Sequence, residues 1–281
     1  SLDLSGLGSD DRKALAEQVA ADVAAAPTYP TDTYFGGKAL YRDAQLLQIA
    51  RQVGADDVAD ELAARVTAEL EKWTEPQGCA TRDAFCFFYD TRNFGIVGDT
   101  PSFGSEEFND HHFHYGYFLY AAGVLGRERP DAVAGMRPVM DALAADVAAG
   151  SAELPALRVF DPYRGHSWAS GTSPFADGNN QESSSEAVAA WNGLAVATVS
   201  ERALYVSFTL RISVAQKGIR PNRATTASRS GTASSPDSSS GGRLTMGAKR
   251  PGKTSRSRTS KPLSRMARKN SRSRAASRTE W

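Results

Sequence analysis

The sequence predicts an all-α fold, with long loops between the helices and a basic segment at the C-terminal end. Apolar residues recur at helical spacing through much of residues 1–200, and only one short stretch resembles a strand. Charge gives the second observation. Residues 201–281 hold 19 of the 33 basic and 3 of the 32 acidic residues, which leaves 14 basic and 29 acidic residues before them. No ordinary single domain divides its charge so sharply, so we expect a boundary near residue 198.

Three helices are predicted before residue 75. Ser9 can cap the first helix, which carries two acidic residues in its first turn and is ended by Pro27. The second helix covers residues 34–53. The third is the clearest, because its apolar residues recur every three or four positions, and we assign them to the core: Val58, Leu62, Val66, Leu70 and Trp73.

The middle of the chain has a mixed character. Residues 85–90 are predicted to form a short strand between turn residues. Cys79 and Cys86 lie seven positions apart, and a disulfide and two free thiols are equally open possibilities. Asn109 or Asp110 can cap a helix that becomes wholly apolar after two turns. Further helices are predicted over residues 131–149 and 182–199, separated by a long polar and aromatic loop at 157–180.

The character of the sequence changes from about Ala197, and apolar periodicity fades after Ile212, where Arg, Ser, Thr and Gly dominate the composition. Residues 199–281 could be a disordered basic tail that binds nucleic acid or an acidic surface, or a tail for secretion or wall attachment. They could also be the product of GC-rich coding sequence translated in a shifted frame. We favour the third interpretation because the change falls inside a helix, and we therefore expect no nucleic-acid partner. The sequence has no apolar run long enough to cross a membrane and no signal-peptide pattern at its start.

Glu182 and Glu186 stand at the start of the last predicted helix, within the sequence Asn-Asn-Gln-Glu-Ser-Ser-Ser-Glu. Four positions apart on a helix, they would share one face and repel each other. The serines and asparagines beside them are poor helix formers. One interpretation is an exposed helix start where acidic residues suit the dipole. The other is that the carboxylates carry chemistry.

All four histidines lie near acidic or aromatic residues: His111, His112 and His114 follow Asp110, and His166 lies in the 157–180 loop. A metal site is one interpretation, since Asp110 or His111 could share a helical face with His114. No established zinc spacing is present, however. We therefore predict no metal and no cofactor.

Carbohydrate chemistry explains these residues better. A glycosidase needs two carboxyl groups flanking the scissile bond, and Asp110 with Glu182 or Glu186 could supply them. Aromatic rings nearby offer flat faces for sugar rings, and the polar side chains offer hydrogen bonds to hydroxyls. The flat faces are expected from Phe103, Tyr115, Tyr117, Tyr163 and Trp168.

Three motifs in order, at residues 109–117, 161–171 and 177–187, resemble those of glycoside hydrolase family 81, whose members are endo-β-1,3-glucanases acting on laminarin-type glucans. Residues 34–38 and 88–90 also fit, so the resemblance covers residues 28–197. It implies an (α/α)₆ barrel and an inverting mechanism without metal or organic cofactor. It also implies an extracellular protein, which we expect to be a monomer.

The resemblance assigns roles to individual residues. Asp110 matches the general acid, Glu182 the general base, and Glu186 a second glutamate that orients water or tunes Glu182. Inversion implies that the carboxyl groups of Asp110 and Glu182 stand about 6.5–9.5 Å apart. The substrate-binding residues expected around them are His111, His114, Tyr115, Tyr117, Asp161, Tyr163, His166, Trp168, Asn179, Asn180 and Gln181.

The chain also departs from the family pattern. Nothing in it corresponds to the large β-sandwich domain that precedes the barrel in family members. A complete barrel has about twelve helices, and residues 1–198 supply six or seven. We therefore expect a partial catalytic domain at 1–198, a fragment shortened at the front and frame-shifted behind. An alternative is a remnant that binds β-glucan without hydrolysing it.

Overall fold

In the computed structural model of this protein, the described residues are 3–149, 153–154, 158–172, 176, 178–200 and 278–279. They all belong to one of the two compact units into which the chain divides. The described α-helices are α1 (Ser9–Ala24), α2 (Thr33–Val53), α3 (Asp56–Thr74), α4 (Gly78–Thr81), α5 (His111–Glu128), α6 (Pro130–Ala134), α7 (Arg137–Ala144) and α8 (Ser184–Ser200). A 3₁₀ turn covers Ser105–Glu107 and a π-helical turn covers Ala145–Ala149.

The strands are short: β1 (Cys86–Asp90), β2 (Gly95–Asp99), β3 (Phe160–Asp161), β4 (His166–Ser167) and β5 (Arg278–Thr279). The structure is therefore rich in helix, as predicted, with small antiparallel sheets beside the helices. The predicted tail lies outside the described residues, apart from the last two residues of α8 and the two of β5. No described helix is both long and apolar enough to span a membrane.

The first three helices match their predictions closely. α1 begins at Ser9, but Ser9 is its first helical residue and makes no capping hydrogen bond, because Gly8 occupies the cap position. α2 is capped instead by Asp32, whose carboxylate accepts hydrogen bonds from the amides of Tyr34 and Phe35. α3 buries the predicted stripe, and only Val58 remains partly exposed.

Aromatic rings join α3, α5 and the first strand into one core. The ring of Trp73 lies 5.0 Å from that of Phe118 and 5.2 Å from that of Phe87, centroid to centroid. Phe87 and Phe118 are in edge contact at 5.3 Å. Such contacts add to the burial of large apolar surfaces, so this cluster holds the N-terminal helices against α5.

The predicted strand at 85–90 is confirmed as β1, which pairs with β2 in an antiparallel hairpin. β2 was not predicted, because two of its five residues are glycines. A Cβ atom on Gly98 would stand 2.2 Å from the side chain of Thr33, so this position accepts only glycine without rearrangement. The two cysteines, whose state the sequence left open, form the Cys79–Cys86 disulfide between α4 and β1.

α5 and α8 pack against each other along most of their length because glycine lies at their contact. A Cβ atom on Gly116 would stand 2.4 Å from the Cα atom of Ala190, and one on Gly193 would stand 2.3 Å from the carbonyl oxygen of Gly116. Close approach of the two backbones therefore depends on these two positions. It brings the start of α8 to the start of α5.

Two predicted helices differ from those observed. The single helix expected over residues 131–149 is broken into α6, α7 and the π-helical turn, with Pro130 and Pro138 each in the first turn of a helix. The helix predicted from Glu182 begins at Ser184 instead. Glu182 has a φ of +53°, which no helix accommodates, so Glu182 and Glu186 do not share a helical face.

Candidate active site

Asp110 lies immediately before α5, in the left-handed backbone region at φ +57°. The sequence suggested a side-chain cap from Asn109 or Asp110, but neither forms one. The Asp110 carbonyl accepts the amides of Phe113 and His114 at 2.8 and 3.1 Å, which closes the first turn. The side-chain carboxyl group of Asp110 therefore does not cap the helix and remains available for contact with a substrate.

The Asp110 carboxyl group is buried, with the residue 5% exposed. Its Oδ1 atom has no hydrogen-bond partner within the described part of the chain. Burial, together with the negative charges of Glu182 and Glu186, raises the pKa of Asp110 to about 7, and burial is the largest of these causes. A carboxylic acid that keeps its proton near neutral pH is suited to donate that proton.

A chain of three hydrogen bonds connects Asp110 to Glu182. The Asp110 amide donates to the carbonyl of Ala169 at 3.0 Å, and the Ala169 amide donates to the carbonyl of Asn180 at 2.8 Å. The Asn180 side chain then accepts the amide of Glu182 at 2.7 Å. The backbone of the exposed Glu182 is thus held in position by the same loop that holds the backbone of Asp110.

Glu186 lies in the first turn of α8, and its carboxylate faces α2. Its Oε1 atom accepts the hydroxyl hydrogen of Tyr34 at 2.7 Å and an ammonium hydrogen of Lys38 at 3.1 Å. Lys38 also donates to the Tyr34 hydroxyl at 3.2 Å. Two donors on adjacent turns of α2 therefore fix the direction of this carboxylate.

The histidines after Asp110 are fully buried rather than open to a ligand. His111 places Nδ1 at 2.6 Å from the Asp146 carboxylate and Nε2 at 2.7 Å from the Ser105 carbonyl, so neither ring nitrogen is left for an ion. His114 shares a hydrogen bond with the Thr33 hydroxyl at 2.7 Å, and its Nε2 has no partner among the described residues. Burial lowers the pKa of His114 to about 3, with the nearby His111 and His112 adding to the effect. His114 is therefore neutral at ordinary pH.

The two tyrosines predicted in α5 occupy different places. Tyr115 is fully buried and donates to the carbonyl of Ile96 at 2.6 Å, so it joins α5 to the hairpin. Tyr117 instead lines a cavity of about 580 Å³ together with Lys38 and Glu186. Burial and the Glu186 carboxylate raise the pKa of Tyr117, which keeps its hydroxyl protonated as a donor.

The loop before Glu182 contains a small hairpin, β3–β4, that carries four predicted site residues. Asp161 accepts the amides of Tyr163 and Arg164 and the indole N–H of Trp168, and the Arg164 amide is the main cause of its lowered pKa. His166 packs edge-on against Trp168 with ring centroids 4.5 Å apart. Tyr163 is 94% exposed at the tip. Asp161 thus orders the hairpin and orients the indole.

The three polar residues before Glu182 are exposed. The side-chain oxygen of Asn179, Oδ1, accepts hydrogen bonds from the backbone amides of Ser170 and Asn180 at 2.9 and 3.0 Å, so this side chain stabilises the loop. Asn180 positions Glu182, as described above. Gln181 accepts the amide of Ser183 through its backbone, which leaves its side chain free of described protein contacts.

Sequence reasoning did not assign site roles to Tyr34, Lys38, Asp32 or Asp146. Tyr34 and Lys38 reach Glu186 from about 150 positions away, and no local pattern reveals such a contact. One available signal was the spacing of Tyr34 and Lys38, which places both on one face of α2.

Comparison with known proteins points in one direction. The sequence model of the glycosyl hydrolase family 81 C-terminal domain matches residues 9–220. A glucan endo-1,3-beta-D-glucosidase of Acetivibrio thermocellus is 42% identical over 196 residues, covering 66% of this chain and 25% of that protein. One of Glycine max is 37% identical over 177 residues, covering 59% and 26%.

A solved structure of a family 81 glycoside hydrolase from Clostridium thermocellum, in mutant form, is also similar. It aligns with a TM-score of 0.61 at 36% identity, over 69% of this chain and 28% of that one. The chain thus spans about a quarter of the length of the relatives that it matches.

Proposed function

Because the chain belongs to glycosyl hydrolase family 81, we propose that it hydrolyses β-1,3-glucan at internal linkages with inversion of the anomeric configuration. The observation that carries the proposal is the environment of Asp110. Its buried carboxyl group has a pKa raised to about 7, beside two carboxylates that its own loop and α8 hold nearby. The names of the relatives, glucan endo-1,3-beta-D-glucosidases, support β-1,3-glucan as the substrate.

In this proposal Asp110 donates its proton to the glycosidic oxygen as the bond breaks. Glu182, which is exposed, removes a proton from a water molecule that attacks the anomeric carbon from the opposite face. The water adds to the sugar, its proton passes to Glu182, and the departing chain keeps the proton of Asp110. Both residues have left-handed backbone conformations, which cost non-glycine residues energy and are enriched at functional sites.

Glu186 acts in this proposal as a positioning residue for the water or for Glu182. Tyr34 and Lys38 fix its Oε1 atom, and the carboxylate so held would accept a hydrogen from water. Tyr117, beside the same cavity, supplies a further donor. The His114 ring, neutral and buried, supports the start of α5 through Thr33.

The wider setting is proposed on the same basis. We place the helices in part of an (α/α)₆ barrel, supported by the α5–α8 packing and by the similarity to a family 81 structure. An extracellular location is supported by the Cys79–Cys86 disulfide, since such bonds persist in oxidising compartments. We also propose that the protein is a monomer and has no nucleic-acid partner.

The test is laminarin hydrolysis by the 281-residue chain and by its Asp110→Asn and Glu182→Gln variants. Both substitutions keep the shape of the side chain and remove only its acid–base function. We expect new reducing ends from the unmodified chain and a loss of about 100-fold or more in each variant, as for removal of a general acid or base. Variants that retain the original rate would overturn the assignment of roles.

Binding measured beside hydrolysis separates the two functions considered from the sequence. Affinity electrophoresis through laminarin-containing gels reports binding without turnover. A chain that is retarded by laminarin yet forms no reducing ends would be a glucan-binding remnant, and the proposal of hydrolysis would be wrong.

A further inference from the structure

Two phenylalanines beside the candidate site are more exposed than a core function would allow. Phe35, in the first turn of α2, is 51% exposed, and Phe103, in the loop after β2, is 59% exposed. Their rings contact each other at 5.8 Å, centroid to centroid, with planes inclined by 62°. Scattered exposed apolar residues need no explanation, but two in contact from distant segments form a surface.

This surface is continuous with the part of the candidate site around Glu186. The ring of Tyr34 lies 5.1 Å from that of Phe35 and 5.0 Å from that of Phe103. The same Tyr34 donates its hydroxyl hydrogen to Glu186. A single side chain, Tyr34, therefore separates the two exposed rings from the Glu186 carboxylate.

The two exposed rings are held in place from below. A single atom, Oδ1 of Asp32, accepts the amides of Tyr34 and Phe35 at 2.9 and 2.8 Å and the Ser102 hydroxyl at 3.0 Å. Backbone hydrogen bonds from Thr100 to Thr31 and from Thr33 to Thr100 join the same two segments. Rings fixed in advance lose little freedom when a ligand binds, which favours binding.

We propose that Phe35 and Phe103 form an aromatic platform that binds a glucose ring of the β-1,3-glucan chain next to the catalytic carboxylates. The apolar C–H face of the sugar would lie on the rings, because more than half of each residue is exposed. Its hydroxyl groups would meet the polar groups at the edge, among them the Lys38 ammonium, which lies 4.9 Å from the centroid of the Tyr34 ring. This inference rests on the proposed substrate but not on the proposed catalytic roles.

The test compares Phe35→Ala, Phe103→Ala and the double variant with Phe94→Ala. Phe94 is a matched control, since it is 56% exposed and, like Phe103, has a positive φ, but it lies in the β1–β2 turn and outside the aromatic group. Laminarin affinity is measured by affinity electrophoresis with Asp110→Asn in every form, so that no turnover disturbs it. KM and kcat are measured with Asp110 intact.

We expect each platform variant to weaken laminarin affinity and to raise KM by about five-fold or more, with kcat within about two-fold of the original. Phe103→Tyr, which retains a flat ring, should keep most of the laminarin affinity that Phe103→Ala loses. Phe94→Ala should leave both the affinity and KM unchanged. Unchanged far-UV circular dichroism would show that all forms are folded.

The outcomes separate this inference from the proposed function. Hydrolysis with an unchanged KM in the double variant would overturn the platform alone. Laminarin binding that depends on the two phenylalanines, without any hydrolysis, would support the platform and overturn the catalytic proposal. A chain that neither binds nor hydrolyses laminarin would overturn both.

Discussion

Tyr34 donates a hydrogen bond of 2.7 Å to Glu186 across 152 positions of sequence. The contact joins α2 to the first turn of α8, where Lys38 reaches the same carboxylate oxygen. The Glu186 carboxylate, which accepts from a neutral and a charged donor, thus joins the helix that carries Phe35 to the helix that follows Glu182. We expect the position of Glu186 relative to α2 to depend on this contact.

Removing the Tyr34 hydroxyl tests how much that contact contributes. Tyr34→Phe keeps the ring but removes the hydroxyl donor, so that Glu186 keeps its contacts with Lys38 and Tyr117. We expect kcat on laminarin to fall by about ten-fold or more, since a hydrogen bond to a charged group is worth about 1.5–3 kcal/mol. Tyr89→Phe is the control, because Tyr89 also donates through its hydroxyl, but to the carbonyl of Glu153 in another part of the molecule. Equal kcat values for the two variants would show that the Tyr34 hydroxyl does not contribute to the reaction.

The raised pKa of Asp110 predicts a pH dependence of activity. A general acid works only in its protonated form, and Asp110 loses its proton as the pH rises through about 7. We therefore expect kcat/KM for laminarin to fall above about pH 7, by close to ten-fold for each pH unit. A rate that stays constant to pH 9 would show that Asp110 is not the acid that limits the reaction.

The same pKa predicts a pH-dependent cost in stability. The folded protein binds the Asp110 proton more tightly than the unfolded chain, whose carboxyl has a pKa near 3.8. Stability contributed by this group is therefore present below pH 4 and is lost as the pH rises toward 7. Asp110→Asn should raise the Tm at pH 8, and the difference should shrink as the pH approaches 4.

The result that would contradict this expectation is a Tm difference that does not change with pH. Asparagine also tolerates the left-handed backbone of residue 110, so any constant part of the difference reflects conformation rather than charge. Only the pH-dependent part reports on the buried carboxyl group.

The contact between α5 and α8 gives a prediction about packing. Gly116→Ala places a methyl group where the backbone of Ala190 lies 2.4 Å away, so the helices must separate. We expect a loss of about 1–3 kcal/mol in the free energy of unfolding, measured by urea titration. Gly135→Ala is the control, because a Cβ atom there meets nothing within 4 Å. Similar losses of unfolding free energy for both variants would show that the close contact between α5 and α8 does not contribute to stability.

The sequence predicted the elements whose evidence is local. The stripe from Leu62 to Trp73 identified α3 because helical periodicity needs no tertiary information. The helix start near Asp110 was predicted for a similar reason. Phe85–Asp90 was recognised as a strand, but its partner β2 was missed. Gly98 of β2 is selected by the close side chains of Thr33 and Phe87 rather than by strand propensity.

Sequence motifs could name candidate site residues, but they could not predict the contacts that folding makes between distant segments. The spacing of Glu182 and Glu186 suggested one helical face, yet the backbone turns at Glu182 and α8 starts two residues later. His111 and Tyr115 were expected at the substrate, but both point into the core, toward Asp146 and Ile96. Tyr34 and Asp32 were missed because their partners lie on segments that only the fold brings together.

The most direct test of the account is the configuration of the sugar released first from laminarin. Proton NMR follows the anomeric signals of new reducing ends during the first minutes, before mutarotation mixes them. If Asp110 and Glu182 act as acid and base, the α-anomer appears first, and neither anomer forms at a comparable rate with Asp110→Asn. Early release of the β-anomer, or an undiminished rate in that variant, would contradict the account.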